Sequence, residues 1–146
     1  MEKILFCICT FNRNRSLIKC LENINKIKLI KKFDIEILII DNTINFTSKK
    51  VIEKYKKKSS FKIFIKNEKK RGIVFARNAC LDFIKKKKMK YVSFIDDDCI
   101  FDINWIINSQ FHMQLLLYRS RTDRKTSCQQ ACLQVVLIQI RSRNGT

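Results

Sequence analysis

Three adjacent carboxylates, Asp96-Asp97-Asp98, follow the run Tyr91-Val92-Ser93-Phe94-Ile95. The five residues before them are apolar or β-prone and read as a buried strand. Three neighbouring charges cannot continue that strand into a core. Each ionised carboxylate stripped of water carries a large penalty unless it is paired or metal-bound. The triplet therefore belongs where the strand emerges from its sheet. Such a cluster suits a hard divalent cation, which Mg²⁺-type sites hold through a few carboxylates and the phosphates of a substrate. A solvated acidic turn is the other reading of the triplet taken alone.

The elements that position it follow from the pattern of apolar runs. Ile4–Cys9 reads as a first buried strand, and Thr10 to Arg15 as a polar loop. Ser16 is placed to cap a helix to about Ile27, with Leu17, Cys20, Leu21 and Ile24 on one face. A second strand, Ile35–Ile40, ends in Asp41-Asn42. Thr47 or Ser48 caps a helix to about Lys57 that turns Val51, Ile52 and Tyr55 inward. The third strand is Phe61–Ile65. After Gly72, a helix from Ile73 to about Lys86 carries Phe75, Ala76, Ala79, Cys80, Phe83 and Ile84 as its stripe. Asp102 is expected to cap a last helix from Ile103 to about Leu117. Strands alternating with crossover helices require a parallel α/β sheet with helices on its faces, Rossmann-like in class. Runs that are apolar throughout agree with burial on both sides.

Thr10, Asp41, Asn67 and Asp96 each stand immediately after a strand, so all four converge on the carboxyl edge of the sheet. Open α/β sheets bind their ligands at that edge. Dinucleotide and P-loop phosphate cradles are excluded, because the only glycines are Gly72 and Gly145. A phosphoacceptor domain would carry an acidic pair after its first strand, where this chain has Thr10-Phe11-Asn12-Arg13.

The bulk composition narrows the class further. The 146 residues are enough for one domain with a core. No apolar run reaches the length of a membrane span, and Met1-Glu2-Lys3 leads into a strand rather than a signal peptide. A cytoplasmic location is expected. The 7 cysteines show no zinc spacing and read as free thiols. The net charge of +18 would suit nucleic acid, anionic lipid or an anionic substrate. With no proline, little glycine and abundant Lys, Ile and Asn, most of that charge reads as compositional background. Specific nucleic-acid binding is not expected.

Four segments taken in order resemble the successive motifs of family 2 glycosyltransferases. They are Ile8-Cys9-Thr10-Phe11-Asn12-Arg13, Ile39-Ile40-Asp41-Asn42, Gly72 with Ala76-Arg77-Asn78, and Phe94-Ile95-Asp96-Asp97-Asp98. The resemblance runs from residue 3 to about 108 and implies the nucleotide-sugar-binding half of a type A fold. It implies that Thr10, Phe11 and Arg13 surround the base and phosphates of the donor, and that Asp41 hydrogen-bonds the base, usually uracil. By the same resemblance Arg77, with Asn78 beside it, lies near the diphosphate. Asp96 or Asp97 faces the ribose, and Asp98, with Asp96, holds Mg²⁺ or Mn²⁺. Trp105 is a candidate sugar platform, although helix packing is the commoner use of such a residue. The implied reaction moves a sugar from a nucleoside diphosphate to a glycan or lipid-linked acceptor, with inversion, in polysaccharide synthesis. Peripheral contact with the cytoplasmic membrane face is also implied.

Inverting members need a carboxylate base beyond the acidic motif, and Asp123 is the only acid after Asp102. All 11 phenylalanines lie at or before position 111, whereas every glutamine lies at 110 or later. Residues 1–110 are therefore expected to be an incomplete donor-binding domain, poorly active. Residues 111–146 are expected to be an atypical or frameshifted tail, in which Leu133–Ile140 is apolar enough to aggregate if left uncovered. An amphipathic helix is the alternative for that tail. The alternative function is a basic module that docks on RNA or anionic membrane without catalysis.

Overall fold

Both parities of the strands are apolar, so the sheet must be covered on two faces. A computed structural model describes residues 2–26, 33–87, 89, 91–100 and 138–139. The elements are β1 (Glu2–Thr10), α1 (Asn14–Asn25), β2 (Phe33–Asp41), α2 (Lys49–Lys56), β3 (Lys62–Asn67), α3 (Ile73–Lys87), β4 (Tyr91–Asp96) and β5 (Ile138–Gln139). They form one sheet in the order β3-β2-β1-β4-β5. The first four strands are parallel, and the two residues of β5 pair antiparallel with Tyr91 and Val92.

Even-numbered residues of β1 (Ile4, Phe6, Ile8) and odd ones of β2 (Ile35, Ile37, Ile39) pack with Leu17, Leu21 and Ile24 of α1 and Ile52 of α2. The opposite parity (Leu5, Cys7, Leu38, Ile40) packs with Ala76, Cys80, Phe83 and Ile84 of α3. Burying each large apolar side chain contributes about 1.5–3 kcal/mol. The sheet is held from both sides by this sum.

The expected parallel α/β class is the observed one, with shifts at element ends. Helix α1 begins at Asn14 rather than at a Ser16 cap, with Arg13 as N-cap residue and no side-chain cap bond. Asn12, at φ 54°, makes the turn early enough for the Leu17 N–H to reach the Arg13 carbonyl. Asparagine tolerates that left-handed backbone better than most residues. Within α2 Ile52 is buried and Tyr55, half-buried, packs against the same core as expected, whereas Val51, one helical step of about 100° from Ile52, is exposed. Gly72 sits at φ 132°, where a side chain would be strained, and a Cβ there would stand 3.3 Å from the Phe75 ring. The expected helix from Ile103 to Leu117, with Asp102 and Trp105, lies outside the described residues. So does the tail at 111–146, apart from Ile138 and Gln139.

Register then aligns the strand ends. Thr10 is level with Asp41, Asp41 with Asn67, and Cys9 with Asp96. Four polar strand ends thus meet at one edge.

Candidate functional site

Thr10 ends β1 on the α1 side of the sheet, and its buried hydroxyl donates to Asp97 Oδ2 at 2.7 Å. Arg13, just before α1, brings Nη1 to 3.5 Å from Asp97 Oδ1 and 3.3 Å from Asp98 Oδ2. The Cys99 N–H donates to the Asp96 carbonyl, closing a tight turn after β4. Along that turn the three carboxylates differ in exposure. The Asp97 side chain is only 7% exposed, Asp98 is 55% exposed, and Asp96 is exposed. A cavity of about 400 Å³ opens beside them, bordered by Thr10, Phe11, Arg13, Asn42, Arg71 and the acidic triplet. Its size falls in the range of small-molecule sites.

Burial pushes the Asp97 carboxyl above the usual carboxylate range, and the Asp98 charge adds to the shift. The Thr10 hydrogen bond and the Arg13 guanidinium oppose it. With the folded value raised, the folded state binds this proton at higher pH than the unfolded chain does. Its ionisation therefore costs stability as pH rises, fully so above the folded value. Asp97→Asn is expected to flatten the fall in stability as pH rises through and above the usual carboxylate range, about 4, read by urea unfolding at each pH. A slope as steep as that of the unmutated protein would refute this account of Asp97.

Asp41 faces the α2 side, as Ile37 and Ile39 do, and is fully buried. Its Oδ1 accepts from the Thr43 N–H at 2.9 Å and the Thr43 hydroxyl at 2.6 Å. Its Oδ2 accepts from the Ser48 N–H at 2.7 Å and the Ser48 hydroxyl at 2.6 Å. Both oxygens are thus engaged within the chain, at the start of α2, and Asp41 does not border the cavity. The cavity wall is formed by the next residue. Asn42 donates Nδ2 to the carbonyls of Glu68 (2.9 Å) and Lys70 (2.8 Å), while its Oδ1 accepts from the Gly72 N–H at 2.8 Å. Asn67 similarly ties β3 to the carbonyls of Asp41 and Thr43.

The loop so clamped carries Arg71, whose guanidinium lies over the Phe11 ring at 5.1 Å. Phe11 is half-exposed at the same mouth. Arg77, expected near a diphosphate, is exposed on α3 and absent from the cavity lining, as is Asn78. Ala76 is the inward residue, and one helical step of about 100° turns Arg77 away from it. The structure thus brings together Thr10, Phe11, Arg13, Asp96, Asp97 and Asp98, and sets Asp41 and Arg77 apart. Asn42 and Arg71 are polar lining residues to which sequence reasoning gave no role of their own. The signal for Arg71 was its place in the turn just before Gly72.

Among the described residues no three His, Cys, Asp or Glu side chains converge so as to hold a metal by themselves. Asp96 and Asp98, both at the cavity and reached by solvent, fit an ion completed by phosphate oxygens, as Mg²⁺-type sites are. Asp97 is buried and accepts the Thr10 hydroxyl, whereas Asp98, although 3.3 Å from Arg13 Nη1, stays open to solvent.

No curated protein matches the chain. Among solved structures, Staphylococcus aureus TarS (residues 1–349) is similar at 16% identity and TM-score 0.63, over 86% of this chain and 39% of that one. Its complex with UDP-GlcNAc aligns at 16% identity and TM-score 0.61, over 86% and 37%. The mannosyltransferase PcManGT of Pyrobaculum calidifontis, in complex with GDP-Man and Mn²⁺, is similar at 15% identity and TM-score 0.63, over 73% and 31%. These likenesses show the fold, and the chain spans less than two fifths of the length of each. The sequence pattern of the family described as "Glycosyl transferase family 2" matches residues 5–114, three quarters of the chain. Four parallel strands, an acidic turn after the fourth and a match of that extent place this chain in glycosyl transferase family 2.

Proposed function

We propose that the chain binds a nucleoside-diphosphate sugar in the cavity at the sheet edge and serves as the donor half of a glycosyltransferase. The convergence of Asp96–Asp98, Thr10 and Arg13 on that cavity carries this reading. The chemistry of each residue suits a part of the donor. Arg13 and Arg71 offer guanidinium N–H groups to phosphate oxygens, and such charge-assisted bonds are the stronger kind. Phe11 presents a ring to the base. Asp97 and Thr10 fix the turn that displays Asp98. Asp96 and Asp98 would hold Mg²⁺ or Mn²⁺, which neutralises charge on the departing diphosphate when bound. Asp41 acts indirectly, by setting the loop that begins with Asn42.

UDP is the first nucleotide to test, since TarS is solved with UDP and with UDP-GlcNAc. The acceptor in this reading is a glycan or lipid-linked glycan. Transfer inverts the anomeric centre and takes place at the cytoplasmic face of the membrane. Calorimetry of the full chain with UDP and Mn²⁺ is expected to show binding that weakens about tenfold or more in Asp98→Ala, a loss of at least ~1.4 kcal/mol. No heat with UDP, with or without Mn²⁺, would remove the proposal. Binding that ignores Asp98 and collapses only with salt would favour the basic docking module instead.

A further inference from the structure

Arg13 is held loosely. It stands between the left-handed Asn12 and the first turn of α1, as an N-cap residue with no side-chain cap bond. From there a single nitrogen, Nη1, reaches both Asp97 Oδ1 at 3.5 Å and Asp98 Oδ2 at 3.3 Å. A guanidinium pairs with a carboxylate best through two parallel N–H bonds, each shorter than these contacts. The Arg13 and Asp98 side chains are 60% and 55% exposed, and exposed pairs of that kind are weak. Among the described residues no other cation pairs with Asp97 or Asp98.

The two carboxylates differ in what they can release. Asp97 is buried and keeps the Thr10 hydroxyl at 2.7 Å, so it retains a partner if the guanidinium leaves. Asp98 accepts from Arg13 alone among the described residues, and both border the cavity. Arginine stays protonated at any working pH, so Arg13 is a permanent positive charge in front of the most open of these carboxylates. A divalent cation must displace it or bind against like-charge repulsion. The displaced guanidinium then needs another anion. A diphosphate in the same cavity would supply one.

We propose that Arg13 is a resident counter-ion of Asp98 that opposes a divalent cation alone and admits it together with a diphosphate. The diphosphate half of this role rests on the donor reading above; the opposition to a cation rests on Arg13 and Asp98 alone. Arg13 changes partner, from Asp98 to phosphate oxygens, while Asp97 and Thr10 keep the turn in place. Cation and diphosphate thus favour each other by more than their direct attraction, and linkage makes that gain equal in both directions. Arg71, the other guanidinium at the cavity, lies over the Phe11 ring and pairs with neither carboxylate, so it has no share in this exchange.

The test is Mn²⁺ binding by the full chain without nucleotide, read from the electron paramagnetic resonance signal of free Mn²⁺. Arg13→Gln is expected to bind Mn²⁺ about fivefold more tightly than the unmutated protein, since one unit charge beside the ion is removed. In saturating Mn²⁺, calorimetry should show the same variant binding UDP about tenfold more weakly, since a charge-assisted phosphate contact is lost. Damage to the turn would weaken both ligands, so the opposite signs separate the two accounts. Arg13→Lys, which keeps the charge, should leave Mn²⁺ binding near that of the unmutated protein. So should Lys85→Gln, which lowers the net charge equally in the last turn of α3. Adding Asp98→Ala to Arg13→Gln should remove the gain. Mn²⁺ binding that is weaker or unchanged in Arg13→Gln, undetectable in both proteins, or raised equally in Lys85→Gln overturns the proposal. So does UDP affinity that Arg13→Gln leaves unchanged. Absence of UDP binding in the unmutated protein removes the donor reading instead, and the Mn²⁺ comparison still decides whether Arg13 opposes the cation.

Discussion

Asp41→Ala is expected to destabilise the protein by about 3–5 kcal/mol, the largest single loss the site region offers. The side chain is fully buried, and four donors end on its two oxygens. Thr43 and Ser48 are themselves buried. Alanine would leave two backbone N–H groups without an acceptor, each at a cost of about 1–3 kcal/mol, while the two hydroxyls can turn to other partners. The negative charge beside the first turn of α2 is lost as well, worth about 0.3–1 kcal/mol. Against a total stability on the order of 5–15 kcal/mol, the urea midpoint should fall by a large fraction of its value. Asp41→Asn, which keeps one acceptor oxygen and adds two donors facing donors, should fall between alanine and the unmutated protein. A midpoint unchanged by alanine would show that these bonds add nothing net. It would also reopen Asp41 as a residue kept for a ligand.

The sheet was legible because its signal is coarse and repeated. Runs such as Ile4–Cys9 and Ile35–Ile40 are apolar on both parities, and only a sheet covered twice accommodates them. Element ends were less legible. Arg13 rather than Ser16 precedes α1 because a left-handed Asn12 ends the loop early, and a backbone angle leaves little trace in residue type. Within the site, residues after β1 and β4 were placed correctly at the edge, since the strand period alone carries them there. Asp41 also stands at that edge. Counting parity back to Ile39 and Ile37 would have turned its side chain toward α2, and Thr43 and Ser48 are the donors such a carboxylate collects. Arg77 followed from resemblance, but one helical step separates it from the inward Ala76. The pairing of Phe11 with Arg71 joins residues 60 positions apart across two loops, which no local pattern encodes.

Asn42→Ala is expected to cost both stability and donor affinity, and the two losses have different routes. Its three side-chain bonds hold Glu68, Lys70 and Gly72, so removing them leaves two carbonyls and one N–H to find water or go unpaired. These groups are part-buried, which limits the loss to about 2–3 kcal/mol in urea unfolding. The 68–72 loop would then cease to fix Arg71 over Phe11. If Arg71 meets the donor's phosphates, its contact is worth about 1.5–3 kcal/mol, so UDP affinity should fall about 10- to 100-fold in Asn42→Ala. Arg71→Ala should lower affinity by a similar factor while leaving the urea midpoint nearly unchanged, because that side chain braces nothing buried. The double variant separates this from coincidence. Once Arg71 is gone, the Asn42 substitution has little affinity left to remove, so the losses should be strongly non-additive for UDP yet nearly additive for stability. Full additivity in UDP affinity would mean that Asn42 touches the donor by itself, and the clamp would then be incidental to binding.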